Sequence, residues 1–305
     1  MNILLTGASG FVGSHFCGDD SIKRVVVRDS DNCSHWSCDQ YQVDAIDGQT
    51  CWSGAFENID AIIHLAGLAH SRTFTSDDYQ TVNVDGALHL AKKAALAGVK
   101  RFVFVSSIGV LGSHTSDSPF TVDSPLIPEN EYTQSKLSAE IGLNKISRET
   151  GLEVVIVRPT LVYGADAPGN FGMLAKLVSR VPILPFGLVS NKRDFIAADN
   201  LKDILMCCAL HPAAKGETFL ASDGETVSIG EFTSHIAQGL NRKVIQLPVP
   251  ISLFRFLGRL IGKTQLVEQL VGNLHVDNSN LKQKLGWVPS YTMKDVMSRL
   301  NKGKK

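Results

Sequence analysis

Five short runs in the first half of the chain are apolar at most positions: Asn2–Thr6, Arg24–Val27, Ala61–Leu65, Phe102–Ser106 and Glu153–Val157. A strand with one face in water alternates apolar and polar residues. Near-continuous runs instead predict strands covered on both faces, as in a parallel sheet with helices on each side. Helical patterns at Asp78–Ala97 and Tyr132–Thr150 separate the last three runs, and this alternation of strand and helix predicts an α/β fold. After Pro159 the rhythm changes. Helical segments around Phe171–Arg180, Leu201–His211 and Ile229–Leu240 mix with short extended pieces, glycines and prolines. That mixture predicts a smaller lobe over the C-terminal edge of the sheet, where open α/β sheets bind ligands. The expected division is a sheet domain over residues 1–165, rejoined by a segment around 193–222, and a lobe made mainly of residues 166–305. Within the lobe, Pro250–Gly262 is apolar with two arginines. It admits a membrane-surface helix, but a helix packed in the lobe or against another subunit is the preferred reading.

Composition narrows the class. The 305 residues are 44% apolar and 20% charged, with a formal net charge of zero. That balance gives no electrostatic reason to expect nucleic acid or an anionic membrane as partner. No run reaches the roughly 18 apolar residues of a bilayer span. The N-terminus lacks a basic leader and glycines interrupt its apolar run, so it does not read as a secretory signal; a cytoplasmic protein is expected. Cys17, Cys33, Cys38, Cys51, Cys207 and Cys208 show no framework spacing, which predicts reduced thiols. Cys33, His35, Cys38 and Cys51 raise the question of zinc, but without a paired Cys-x-x-Cys the expectation is a cysteine-rich surface loop and no metal.

Candidate chemistry begins at the first strand. Gly7, Gly10 and Gly13, with Phe11 and Val12 between the last two, follow it directly and open a helical stretch. Such a turn lets a pyrophosphate approach backbone N–H groups at a helix N-terminus. The strand context makes this a dinucleotide site on a Rossmann-type doubly wound parallel sheet. The residue ending the second strand reads the adenosine ribose. Here Val27 is followed by Arg28, which can pair with the 2′-phosphate of NADP, and then by Asp29, which can serve NAD if the register slips by one. NADP is slightly favoured and dual use is compatible with the pattern.

Tyr132 and Lys136 are four apart on a predicted helix and share a face. An ammonium beside a phenol favours phenolate; bringing a phenol from about 10 to about 7 takes roughly 4 kcal/mol, which Lys136 and the positive nicotinamide ring are expected to supply together. Tyr132 would then act as general acid or base on a carbinol or carbonyl oxygen. Ser107, at the end of a buried strand, can hydrogen-bond the same oxygen. His64 reads as a packed strand-end residue. His70 is a candidate for the substrate pocket and His114 lies in a loop, 113–118, after Ser107; neither is assigned a role.

These segments together resemble the extended short-chain dehydrogenases/reductases of the nucleotide-sugar epimerase/dehydratase family, across nearly the whole chain. The matching residues are Thr6–Gly13, His64–Gly67, Asn83–Gly86, Ser106–Ser107, Tyr132 with Lys136, Arg158–Gly164, Arg193–Ile196 and Leu285–Trp287. The resemblance implies that Tyr132, Lys136 and Ser107 are catalytic, with Lys136 also on the nicotinamide ribose. It implies that Asp44 reaches the adenine, that Ala66 and Gly67 border the cofactor, and that Asn170 and Arg193 hold the substrate diphosphate. A guanidinium fork suits phosphate oxygens. It also implies a homodimer, paired through Asp78–Ala97 and Tyr132–Thr150.

Family members share this set while differing in chemistry. No Asp-Glu pair replaces Ser107-Ile108, which argues against dehydration. The chain resembles the subgroup of surface-polysaccharide (lipopolysaccharide, O-antigen) enzymes that reduce UDP-4-keto-6-deoxy-N-acetylglucosamine. Arg28 stands in place of the NAD-reading acid, and no second phosphate arginine precedes Leu274–Asp277. The expected activity is therefore a 4-ketoreductase on a UDP-sugar, with a UDP-hexose 4-epimerase as the alternative. A non-catalytic dinucleotide-binding regulator is a distant third, since Tyr132, Lys136 and the glycine turn are intact.

Overall fold

The computed structural model describes residues 1–28, 36–69 and 73–301. Asp29, Cys33, His35 and His70, considered above, lie outside the described residues. Six strands run through the first half: β1 (Ile3–Thr6), β2 (Ile22–Val27), β3 (Asp39–Gln42), β4 (Ala61–His64), β5 (Arg101–Val105) and β6 (Glu153–Pro159). The chain then forms β7 (Leu161–Tyr163), β8 (Ile183–Leu184) and β9 (Phe195–Ala197), returns as β10 (Thr218–Ala221), and adds β11 (Ile245–Gln246). The main sheet has seven strands in the order β10-β6-β5-β4-β1-β2-β3, and every pairing within it is parallel. The order reverses between β1 and β4, the crevice where doubly wound sheets take a ligand.

The helices of the sheet domain are α1 (Phe11–Ser14), α2 (Ser76–Tyr79), α3 (Ala87–Leu96) and α4 (Glu131–Thr150). Beyond it follow α5 (Gly169–Arg180), α6 (Ala198–Leu210), α7 (Ile229–Gly239), α8 (Ile251–Leu260), α9 (Thr264–Val271), α10 (Ser279–Leu285) and α11 (Met293–Met297). The near-continuous strands are buried on both faces, as their sequences predict. Ile3, Leu5, Val25, Ile63, Val103 and Val155 pack with Leu201, Ile204 and Leu205 of α6. Their neighbours Leu4, Val26, Ile62, Phe102 and Val154 pack with α3 and α4 through Leu90, Ala94, Leu143 and Ile146. At about 1.5–3 kcal/mol for each large apolar side chain taken out of water, these two layers dominate the stability of the domain.

Both ends of α4 are written locally. Asn130 caps its N-terminus, accepting from the Thr133 N–H at 3.0 Å, and Thr133 Oγ1 accepts in return from the Asn130 N–H at 3.2 Å. Gly151, at φ +80°, ends it in the left-handed conformation that glycine adopts without a Cβ penalty. The helix expected over 78–97 is interrupted. Gln80–Gly86 is a π-helical segment between α2 and α3, and such widened turns gather at functional sites. Gly86 passes so close to Ile46 that a Cβ would lie 2.7 Å from its carbonyl oxygen. β3 has no apolar run because Asp39-Gln-Tyr-Gln42 is a largely exposed edge strand.

The lobe is built on two short parallel pairs, β7 with β9 and β8 with β11, around Tyr163, Phe171, Phe195 and Phe232. A buried polar knot joins lobe to sheet. Asp223, just past β10, accepts from Tyr163 Oη at 2.7 Å, from Asn200 Nδ2 at 2.7 Å and from the Ala197 N–H. Burial pushes its carboxyl up to about 6 despite those bonds.

Candidate active site

The turn after β1 is held by contact rather than by side chains. Gly7 sits at φ +75°, and a Cβ there would lie 2.8 Å from the Ala66 nitrogen. At Gly13 a Cβ would fall 2.1 Å from the Gly7 carbonyl oxygen. Gly10 closes the turn, its N–H donating to Gly7 O at 3.0 Å. The helix that follows is shorter than expected: α1 is a single turn. The favourable field for an anion is therefore mainly that of its first N–H groups, which have no intrahelical acceptor, and less that of a long dipole. Phe11 and Val12 are part-buried; Val12 packs on the core, and the Phe11 ring reaches the backbone at Gly164.

At the next corner the Val43 N–H donates to Val27 O at 2.9 Å. Arg28 and Asp44, one residue further along each chain, thus share the C-terminal edge beside β1, and both are exposed. Past β4, the Ala66 N–H donates to Thr6 Oγ1 at 3.2 Å, and Thr6 Oγ1 also shares a 2.8 Å hydrogen bond with His64 Nδ1. His64 is a buried, neutral side chain stacked on Phe104; burial drives its pKa down to about 3, so it is no base at neutral pH.

Gly67 faces Lys136 of α4. A Cβ on it would meet Asn83 Oδ1 at 2.9 Å and Lys136 Nζ at 3.4 Å. Asn83 fixes this loop. Its Oδ1 accepts from the Leu68 N–H at 2.7 Å, and its Nδ2 donates to Leu68 O and to Ser135 Oγ. The Asn83–Gly86 motif gives no sign in the sequence of these distant partners.

Ser107, Tyr132 and Lys136 meet at the end of β5. The Ser107 hydroxyl is hydrogen-bonded to Tyr132, and Ser107 Oγ also accepts from the Gly109 N–H at 3.1 Å. Tyr79 lies against Tyr132, ring centroids 6.2 Å apart. Lys136 is buried, donates to Val105 O at 3.0 Å, and its ammonium stands 4.9 Å from the Phe104 ring centroid. The expected lowering of the phenol does not occur in the protein alone. Burial pushes Tyr132 up to about 12, against the pull of Ser107. The same burial brings Lys136 down to about 8, with Glu140 opposing it. Both charges are poorly solvated here, so phenolate needs a further cation.

Glu140, one turn beyond Lys136, forms a buried bidentate pair with Arg158 of β6, at 3.0 Å to Nε and 2.6 Å to Nη2. Glu140 continues the four-residue spacing of Tyr132 and Lys136, which puts all three on one face of the helix.

The two residues expected on a diphosphate lie in the lobe, away from this cluster in the chain. Arg193, between β8 and β9, donates from Nη1 to Gly272 O at 3.0 Å. Burial lowers its pKa to about 10, so it stays a cation with little water around it. Asn170 is exposed in the first turn of α5. His114 is exposed and lies 4.0 Å from Glu129. Among the described residues no three His, Cys, Asp or Glu side chains form a group that could hold a metal ion, and no helix is long and apolar enough to cross a membrane.

Comparison with known proteins gives this arrangement a family. Residues 3–230 match the NAD dependent epimerase/dehydratase family. A UDP-glucose 4-epimerase of Vibrio cholerae is 38% identical over 96% of this chain and 92% of its own length. A dTDP-4-dehydro-6-deoxyglucose reductase of Escherichia coli is 26% identical over 80% of this chain and 75% of its own. Among solved structures, the UDP-glucose 4-epimerase of Thermotoga maritima with UDP-glucose has the same fold, with a TM-score of 0.77 at 22% identity and full coverage of both chains. The chain belongs to the NAD-dependent epimerase/dehydratase family of nucleotide-sugar enzymes.

Proposed function

We propose, with membership of that family as premise, that this protein is a UDP-hexose 4-epimerase that keeps NAD as its resident cofactor. One observation carries the choice of epimerase over the 4-ketoreductase expected from sequence. It is the 38% identity with the Vibrio cholerae epimerase over 96% of the chain, against 26% over 80% for the reductase. The glycines are consistent with a backbone that a cofactor approaches closely: a side chain at Gly7 would meet the backbone after β4, one at Gly13 the turn itself, and one at Gly67 would crowd Asn83 and Lys136. Gly7, Gly10, Phe11, Val12 and Gly13 would hold the pyrophosphate, Arg28 and Asp44 the adenosine end, and Ala66, Gly67, Tyr132 and Lys136 the nicotinamide end. NAD held there would supply reversible hydride chemistry at C4 with no net oxidation of the sugar.

Tyr132 takes the proton from the C4 hydroxyl and gives it back to the C4 carbonyl oxygen. Ser107 donates a hydrogen bond to that oxygen, where charge develops. Lys136, still mostly protonated at neutral pH, favours the phenolate. From about 12 to about 7, the phenol needs roughly 7 kcal/mol of charge stabilisation, more than the roughly 4 of an exposed tyrosine. A cationic nicotinamide ring bound beside Tyr132 would add to what Lys136 supplies. Arg193 and Asn170 hold the diphosphate in the lobe, so the hexose can turn about an anchored phosphate and present its other face. The outer faces of α3 and α4, with Leu96 82% and Ile141 60% exposed, suit a homodimer contact.

Arg28 supports one other reading, a 4-ketoreductase drawing on exchangeable NADPH. Incubating the purified protein with UDP-galactose and no added cofactor separates the two. The epimerase forms UDP-glucose, and Tyr132→Phe abolishes turnover with the fold intact. If no UDP-glucose forms, and NADPH is instead oxidised by a UDP-4-keto sugar, the reductase stands.

A further inference from the structure

We propose that the α8–α9 helical pair docks on the surface of an anionic phospholipid bilayer. α8 packs on the lobe through Ile251 and Phe254, whose ring stacks on Phe186 with centroids 5.9 Å apart, and Gly258 on the same face lets Val267 of α9 approach closely. At about 100° per residue, Leu253, Phe256, Leu257 and Leu260 form a second apolar stripe facing away from that contact. They are 45%, 58%, 48% and 67% exposed. Ile261 extends this stripe at the helix end, and Leu266 and Leu270 of α9 are exposed as well. A third stripe, Ser252, Arg255 and Arg259, is polar and lies between the other two. The expectation that this segment packs inside the lobe therefore holds for one stripe only.

Charge identifies the occupant. Between Glu231 and Glu268 the sequence has no Asp or Glu, yet it holds Arg242, Lys243, Arg255, Arg259 and Lys263, all exposed. Arg255 is answered by Glu268 at 2.8 Å. The zero net charge of the whole chain hides this local excess. A second copy of the chain is a poor partner, because a two-fold contact would bring together two patches that both carry mainly cations while removing water from them. An amphipathic helix with large apolar side chains and flanking cations instead suits an interface of acyl chains and anionic headgroups. The docked pair would be tied to the candidate site: Asn191 Nδ2 donates to Leu270 O and Gly272 O, and Arg193 Nη1 donates to Gly272 O.

Flotation of the full-length protein with vesicles tests this. Vesicles of phosphatidylethanolamine with phosphatidylglycerol should carry the protein up, vesicles of phosphatidylcholine should not, and added salt should weaken the binding. Phe256→Ser with Leu260→Ser should lower binding tenfold or more. Arg259→Glu with Lys263→Glu should lower it at least about 25-fold, from roughly fivefold per cation. Unchanged circular dichroism melts would show that neither double variant unfolds the lobe. Absence of flotation, equal flotation with both lipids, or binding that survives both double variants would overturn the proposal. So would a dimer in sedimentation velocity without lipid that dissociates in the Phe256→Ser, Leu260→Ser variant, since the patch would then belong to a second copy.

Discussion

Replacing Glu140 by glutamine tests the electrostatic support beneath the candidate site on α4. The Glu140 side chain is 3% exposed and that of Arg158 is 7%, and the pair is bidentate. Arg158 Nη1 is itself buried with no hydrogen-bond partner among the described residues, so Glu140 is the carboxylate that offsets this guanidinium. Breaking a buried pair by removing one member leaves an uncompensated charge and costs about 3–5 kcal/mol. The loss should appear as a lower urea midpoint at unchanged slope. Removing both charges with Glu140→Leu and Arg158→Met should recover most of it. A second readout follows from Lys136. Burial lowers its pKa to about 8 and the Glu140 carboxylate opposes that shift. Without the carboxylate the ammonium loses its proton at lower pH, so the alkaline limb of kcat/KM should move down. A stability loss below about 1 kcal/mol, a double variant no more stable than the single one, or an alkaline limb that moves up would each refute this reasoning.

Gly13→Ala puts a methyl where the Gly7 carbonyl oxygen stands 2.1 Å away; opening of the turn should weaken NAD binding at least tenfold by calorimetry, and an unchanged Kd would contradict it. Arg193→Ala removes a desolvated cation; at about 1.5–3 kcal/mol for a charged hydrogen bond, KM for the UDP-sugar should rise roughly tenfold to a hundredfold with less change in kcat. A loss confined to kcat would count against a binding role. His64 titrates near 6.5 when unfolded and near 3 when folded, so in that window the unfolded chain binds the extra proton. Stability should therefore fall as pH drops from about 6.5, by up to about 1.4 kcal/mol per pH unit from this group. His64→Gln should flatten that slope in urea titrations, and an unaltered slope would refute the assignment.

The parallel sheet was legible because strands covered on both faces must be apolar throughout, and α4 was legible because Asn130 and Gly151 cap it locally. The order of Ser107, Tyr132 and Lys136 was also readable, since a strand end and a four-residue helical spacing place themselves. β3 was not, because an exposed edge strand carries no apolar run. The π-helical segment was hidden for another reason: it depends on Asn83 reaching Leu68 and Ser135, partners far away in sequence. The burial of the phenol is not legible in the sequence for a related cause. Spacing shows that Lys136 is near Tyr132, but only the packed structure shows that both are desolvated together. The exposed stripe of α8 was ambiguous, since periodicity reveals an apolar face without revealing what covers it.

A 4-epimerase returns to C4 the hydride it removes, within one site. Incubating the purified protein with UDP-galactose deuterated at C4, with no added cofactor, and following the sugar by proton NMR tests this directly. UDP-glucose with deuterium retained at C4 is expected. Failure to invert C4, or inversion with deuterium replaced from solvent, would contradict it.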